Sequence, residues 1–377
     1  MAYTQTQGYG SRLFDSIKGV LVGIVLFALS FPLLWWNEGR AVQTAKSLAE
    51  GATNVVSVTT LDPSNEAKLV HYSGQAVTTE TLADHELGIS APALRLHRKV
   101  EMYQWKEESH SHENTGGSKT TTYTYSKEWS SDRISSSSFK EIGHDNPSQM
   151  PLTELHLMSS QAKLGPFDLS SEIIKGHLDK WEAVPVEASA KLPTGLHAKI
   201  QVEQGGFYLG ADPSSPAIGD CKITYRAVKS PLTMSIVAKQ VGSGFTAYPA
   251  KAGDDLLLTT MDQSDAASMF KAAEEANEIL TWILRAVGWF LMTLGIFLVL
   301  RPIAMVANFI PFAGSAVSFG AFLLAAVGAS GLSLVTVAVA WIVYRPLLGI
   351  AILVLALAGI VGAVTMMAKA KKKTQRA

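Results

Sequence analysis

The chain has 377 residues, 32 basic and 32 acidic side chains, and 47% hydrophobic residues. Zero net charge argues against a general nucleic-acid binder, which needs a basic excess to displace counterions from phosphates. The single cysteine, Cys221, excludes an internal disulfide framework and any multi-cysteine metal site.

The apolar residues fall in runs. No charge occurs from Gly19 to Trp36, from Pro302 to Tyr344, or from Pro346 to Ala368. A helix crosses a hydrocarbon core of about 30 Å with about 20 apolar residues, so the pattern predicts an integral membrane protein. A cytoplasmic N-terminus is expected over 1–16 and a first span over 17–36. The span ends in Pro32, Leu33, Leu34, Trp35 and Trp36, not in the small residues of a signal-peptidase site. Tryptophan belongs at headgroup level, so this is an anchor edge, with Asn37, Glu38, Gly39 and Arg40 just beyond it and the charges expected in water. Gly19 and Gly23 form a G-x-x-x-G that lets two helices approach closely. Glycine tolerated in a membrane helix without any such contact is the alternative.

Residues 37–280 are expected to form a large exported domain, β-rich and of α+β type, long enough to bury its own core. A long hairpin is predicted from Leu94 to Trp129, with the polar loop "SHSHENTGGSK" at its tip. Tyr103 and Trp105 are expected to face Tyr123 and Tyr125. The His-rich loop and "RISSSSF" read as mobile. A short helix is predicted in "DLSSEIIKGHLDKW", capped by Ser170 or Ser171. "HAKIQVEQ", "CKITYRA" and "MSIVAKQ" alternate with period two and read as half-buried strands, which places Cys221 among buried residues. "SDAASMFKAAEEANEIL" reads as an amphipathic helix with Met269, Phe270, Ala273 and Leu280 on one face and Glu274, Glu275 and Glu278 on the other. It runs directly into the next apolar segment, which ties the domain stiffly to the membrane.

A second span is predicted over 281–300, with Arg285 one turn inside and able to snorkel to the interface. The uncharged run from Pro302 to Tyr344 would be about 65 Å long as one helix, too long for one crossing. Pro311 and Gly314 favour an interfacial or cytoplasmic linker over 301–316 and a third span over 317–344; two crossings are the alternative. "YRPL", with Arg345, reads as a tight turn before a fourth span over 346–367. The basic tail 368–377 belongs in the cytoplasm by the positive-inside rule. The fold class is thus a membrane protein with one N-terminal and three C-terminal α-helical spans flanking the exported domain.

Candidate chemistry is sparse. His110, His112 and Glu113 have spacing that suits a strand face, but a metal site would need further ligands and a fixed loop. His144 beside Asp145 suggests a base and its orienter, although sequence neighbours rarely face each other and Asn-Pro is turn chemistry. "ADHE", residues 83–86, is weaker. No G-x-S-x-G, H-E-x-x-H or phosphate loop occurs. No catalytic, cofactor-binding or metal residue is therefore assigned and no cofactor is expected; His144, Asp145, Arg285 and Arg345 remain as candidates. The spans lack the internal acids and lysines usual in ion-coupled transporters. A passive pore lined by small residues such as Gly328, Ser330, Gly331 and Ser333 stays open.

From first span to last, the chain resembles the transmembrane protein 43 family, known as LUMA. The resemblance rests on "NEGRAVQTAKSLAEG", "LVHYSG", "VEMYQW", "EIGHDNPSQM", "AGDDLLL", "LRAVGW" and "WIVYRPL" in that order, with Trp35 and Trp36 just before the Asn37–Arg40 signature. It implies four spans, cytosolic termini and a large lumenal domain. It also implies self-association and the organisation of envelope proteins; a channel role has been proposed for the family as well. Animal members resembling this chain lie in the endoplasmic reticulum and inner nuclear membrane. The short polar N-terminus and the absence of a glycosylation sequon suit a bacterial member, with the domain in the periplasm and without lamin or emerin partners. The expected function is a non-catalytic, self-associating membrane scaffold, with a channel or channel subunit as the alternative. The expected partners are the bilayer, further copies of the chain and other membrane proteins, and no nucleic acid.

Overall fold

The computed structural model describes residues 3–7, 9–113, 119–186, 200–203, 205–307 and 313–351. Among them are the helices α1 (Tyr9–Asn54), α2 (Ser171–His177), α3 (Ala266–Ala307) and α4 (Ala313–Tyr344), and the helical stretch 346–351 that opens the fourth predicted span. The strands begin with β1 (Tyr3–Gln7), β2 (Val56–Ser57), β3 (Leu69–Val77), β4 (Thr81–Asp84), β5 (Ile89–Glu113) and β6 (Lys119–Ser130). Next come β7 (Leu155–Met158), β8 (Lys163–Leu164), β9 (Phe167–Asp168), β10 (Glu182–Val184), β11 (Ile200–Glu203) and β12 (Gly206–Leu209). The last are β13 (Cys221–Lys229), β14 (Leu232–Val241), β15 (Gly244–Thr246), β16 (Tyr248–Pro249), β17 (Asp255–Leu256) and β18 (Leu258–Thr260).

Among the described residues three helices are long and apolar enough to cross a membrane, within Lys18–Asn54, Ala266–Pro302 and Val317–Tyr344. Each exposes large apolar side chains, for example Leu21, Ile24, Phe290, Leu324 and Val327, as lipid contact requires. The segment 352–377, with most of the fourth predicted span and the basic tail, lies outside the described residues. So do 308–312 in the predicted linker. Its first residues, 301–307, continue α3, because Arg301 and Pro302 do not interrupt the helix.

The helices do not end where their charges begin. α1 continues for 18 residues beyond Trp36, to Asn54, and α3 begins 15 residues before Thr281. The two run antiparallel from the apolar region into the β-rich part. There Leu48, Met269 and Phe270 share a core with Leu69, Val237 and Leu256. Gly51 lets this happen, since a Cβ there would lie 2.6 Å from Leu256 Cδ1 and 2.7 Å from Phe270 Cε1. Of the face predicted for the amphipathic helix, Met269 and Phe270 are buried and Ala273 is partly so, but Leu280 is exposed. By that point the helix has left the domain core.

One sheet runs β1-β6-β5-β13-β12-β11, with β10 on β13 and β4 and β7 on β5. In the other, β3, β14, β15, β9 and β8 pair round into a ring, with β2 and β18 attached. β13 alternates as expected, with Cys221, Ile223, Tyr225 and Ala227 buried. β14 does not. Met234, Ile236 and Ala238 face one core while Val237 faces the α1–α3 core, so both faces are covered. α2 starts at the predicted cap, with Ser170 Oγ accepting from the Ile173 N–H.

The hairpin is longer than predicted and in another register. Tyr103 pairs with Trp129 and Trp105 with Lys127, while Tyr125 lies opposite Glu107 and Tyr123 opposite Ser109. His110 and His112 are strand residues, opposite Thr122 and Thr120, and are exposed. This stretch is wet on both faces, so it carries no hydrophobic alternation to reveal it as a strand; β-branched threonines opposite favour the ladder. "RISSSSF" is held in place. The Ile134 N–H donates to Gln104 Oε1 and the Asn146 N–H to Ser136 Oγ.

β1 pairs with the far end of β6, Tyr3 opposite Tyr123 and Gln7 opposite Lys119. β6 has 12 residues, about 40 Å of strand. The hairpin therefore reaches from the domain to the start of α1, a distance comparable with the thickness of a hydrocarbon core. Its open edges and polar side chains cannot lie in hydrocarbon. The β1–β6 pairing and the expected arrangement, with α1 across a bilayer and the domain beyond Trp36, therefore exclude one another.

Candidate functional site

The residues just after the first apolar run gather where α1, α3 and α4 meet. Glu38 is fully buried. Arg285 Nε donates to Glu38 Oε1 at 2.7 Å and Nη2 to Oε2 at 2.9 Å, a two-pronged pair. Trp341 Nε1 of α4 donates to Oε2 at 2.7 Å, so one carboxylate joins three helices. Glu38 is thus not in water, and Arg285 does not snorkel outward. Each supplies what the other needs to leave water, because an unpaired buried charge costs several kcal/mol.

One residue back, buried Asn37 donates through Nδ2 to the Thr281 carbonyl at 3.0 Å. Arg40 spans α1 to α3, with Nη1 to Asn277 Oδ1 and Nη2 to Thr281 Oγ1, both at 2.9 Å. Asn277 Nδ2 returns a bond to the Ala41 carbonyl at 3.0 Å. Gly39 has no room for a side chain, since a Cβ would lie 2.8 Å from Tyr344 Cζ. Trp35 packs its ring edge-on to Tyr344, with centroids 5.7 Å apart. Trp36 faces outward, as an interfacial residue should. Asn37, Glu38, Gly39 and Arg40 thus each hold one helix to another.

Gly23 is used in the same way. A Cβ on it would lie 2.7 Å from the Gly295 carbonyl oxygen, and one on Gly295 would lie 2.8 Å from the Gly23 carbonyl oxygen. The close approach predicted for the G-x-x-x-G is made inside the chain, between α1 and α3. Gly19 has nothing within 4 Å of its Cβ position.

The description Transmembrane protein 43 belongs to the family signature that matches residues 102–346. The rat protein of that name is 36% identical over 356 residues, 90% of this chain and 88% of its own length. The human protein is 35% identical over 374 residues, 95% of this chain and 92% of its own. A Drosophila melanogaster homolog is 28% identical over 352 residues. The chain belongs to the transmembrane protein 43 family. It is an integral membrane protein, built of apolar helices and a large β-rich region. No solved structure matches it.

For this transmembrane protein 43 member, the other motif residues also find structural partners. In "GHDNP" the anchor is Asn146, which sequence reasoning passed over. Its Oδ1 accepts the Trp105 N–H at 2.7 Å and its Nδ2 donates to the Trp105 carbonyl at 2.8 Å, so the side chain pairs like a strand edge. His144 stacks on Tyr125 at 4.0 Å and meets Trp105 edge-on at 4.5 Å. Asp145 is exposed, and no bond joins it to His144 among the described residues. In "ADHE" the carboxylates of Asp84 and Glu86 hold buried Arg98 at 2.8 and 2.7 Å, and the Tyr225 hydroxyl donates to Asp84. Burial and that carboxylate push the Tyr225 phenol well above its ordinary range. Burial pushes the Cys221 thiol up to about 12, which makes it inert.

Among the described residues, one set brings metal-type donors together: His97, Glu154 and His156, with donor atoms within 4.8 Å of one another. The chemistry fits an ion poorly. Arg226 Nε donates to His97 Nδ1 at 2.8 Å, so His97 Nε2 carries the proton and lacks the lone pair a metal needs. Metal-bound histidines donate through the second nitrogen to an acceptor, whereas here that nitrogen faces a guanidinium.

At the helix junction the residues sequence reasoning missed are Asn277, Thr281 and Trp341. A signal existed: Asn277, Thr281 and Arg285 are four apart, one polar stripe along a helix face. Arg345 lies at the same end of the bundle, lining a cavity with Glu274 and Glu278.

Proposed function

We propose that this chain is a non-catalytic membrane scaffold that holds its β-rich domain in one fixed orientation to the bilayer and associates with further copies. One observation carries the reading. α1 and α3 run unbroken from the apolar bundle into the domain core, locked midway by the buried Glu38–Arg285–Trp341 contact. A flexible tether would let a domain search for substrate; a stiff double mount suits a surface meant to be presented. With the apolar helices across the inner membrane of a bacterium, the domain would face the periplasm, and in a eukaryote the lumen of the endoplasmic reticulum or its nuclear extension.

Light scattering of the full chain in detergent tests the association. A defined oligomer that persists on dilution is expected, and a monomer at every concentration would overturn the reading. A channel is the second reading, favoured by the cavity of about 430 Å³ between the helices that Ser330 and Ser333 line. It requires a bilayer conductance that changes when residues 328–333 are altered.

A further inference from the structure

Two cavities meet at the same three side chains. Trp282, Arg285 and Trp341 line both an apolar one of about 430 Å³, with Leu34, Trp289 and Leu334, and a polar one of about 480 Å³. The polar cavity is lined by Arg345, Glu274 and Glu278. None of these three side chains has an ionic partner among the described residues. Each volume falls within the range of roughly 300–1,000 Å³ usual for small-molecule sites.

The position identifies the occupant. Trp36 and Trp282 are more than half exposed beside the apolar helices, where tryptophan marks the headgroup level of a bilayer. A paired cavity at that level, apolar on one side and charged on the other, fits a lipid with one chain among Leu34, Trp289 and Leu334 and its headgroup beside Arg345. The charges then select the headgroup. A purely anionic head would gain Arg345 but face two carboxylates. A zwitterionic head satisfies both signs, phosphate toward Arg345 and the cation toward Glu274 and Glu278.

The cation must also be able to donate. A quaternary ammonium is recognised by open aromatic faces. Here the Arg285 guanidinium already lies 4.7 Å from the Trp282 centroid and 5.6 Å from that of Trp341, so cationic stacking on those rings is taken. A primary ammonium can instead donate three hydrogen bonds to the carboxylates. We propose that the cleft between α1, α3 and α4 binds a phospholipid with a primary-amine zwitterionic headgroup, of the phosphatidylethanolamine type.

Native mass spectrometry of the full chain in detergent, with one lipid added at a time, tests this. Phosphatidylethanolamine is expected to be retained about tenfold over phosphatidylcholine and over phosphatidylglycerol of the same chains, a difference near 1.4 kcal/mol. Glu274→Gln with Glu278→Gln should abolish the preference for amine over choline, and Arg345→Gln should lower retention of every phospholipid. All three residues lie outside the buried helix contacts, so an unchanged melting temperature without lipid will confirm folding. Equal retention of the three lipids, or preference for the anionic one, would overturn the proposal. So would an amine preference that survives the double glutamine change.

Discussion

Gly23 and Gly295 form a mutual notch: each leaves space for the other's carbonyl oxygen, and a Cβ on either would come within 2.8 Å of it. Where lipid replaces water, burial of apolar surface gives helices no reason to associate, so close backbone packing carries more of the load. Gly23→Leu or Gly295→Leu should therefore push α1 from α3 and cost on the order of 1–3 kcal/mol, the usual range for overpacking. Gly19→Leu should change unfolding by less than about 0.5 kcal/mol, since nothing lies near its Cβ position. Urea unfolding in detergent separates the three. Equal effects at positions 19 and 23 would mean that the notch does not hold the helices together.

The Glu38–Arg285 pair gives a second, sharper contrast. Glu38→Gln leaves the Arg285 guanidinium without its counter-charge, and breaking one partner of a buried pair costs about 3–5 kcal/mol. Replacing both, as Glu38→Gln with Arg285→Met, removes the orphan and should recover part of that loss. The double change must therefore be less damaging than the sum of its parts. Additive losses would show that the two side chains do not depend on one another.

Much of this arrangement was legible in the sequence, and the failures share a cause. The apolar runs within the described helices, the period-two alternation of β13 and the Ser170 cap are local patterns, and each predicted its element. What escaped depends on a second segment far along the chain. Glu38 reads as a solvated charge until Arg285, 247 residues later, lies beside it. Gly23 reads as half of a G-x-x-x-G with no partner helix named until Gly295 is known to face it. β14 is buried on both sides because a helix pair covers the face that alternation would leave wet. Asn146 reads as a turn residue, yet its side-chain amide completes the edge of β5.

The pairing of β1 with β6 makes the sidedness of the chain testable. Thr4 and Thr122 are directly opposite, a position where two cysteines can bond without backbone movement. The native thiol will not interfere, because Cys221 is buried and its thiol is held up at about 12. Thr4→Cys with Thr122→Cys should cross-link under mild oxidation in detergent; an α1 that crosses the bilayer would put hydrocarbon between the two positions and prevent the link in sealed vesicles. Efficient cross-linking in sealed vesicles would put β1 and the domain on one side, and α1 would then not cross between them.

The domain itself should be sensitive to mild acid through His97. Burial is the main cause that lowers its pKa, from 6.5 to about 4, followed by His156 stacked at 4.1 Å and the Arg226 guanidinium; only Glu154 opposes them. A base held neutral in the folded state binds fewer protons there than in the unfolded chain. Stability from this group is therefore fully present above about pH 6.5, declines as pH falls from 6.5 to 4, and is flat below. Glu80 acts in a lower window. The Ser159 and Ser160 hydroxyls lower its carboxyl to about 2, so its contribution is lost only below about pH 4.5. His97→Gln keeps an acceptor for the Arg226 N–H but cannot titrate. Its urea midpoint should stay near that of the parent at pH 7.5 and fall less steeply between pH 6.5 and 4.5, with the circular dichroism of the β-rich domain as the probe. An identical slope in parent and variant over that window would show that His97 is not the group that senses acid.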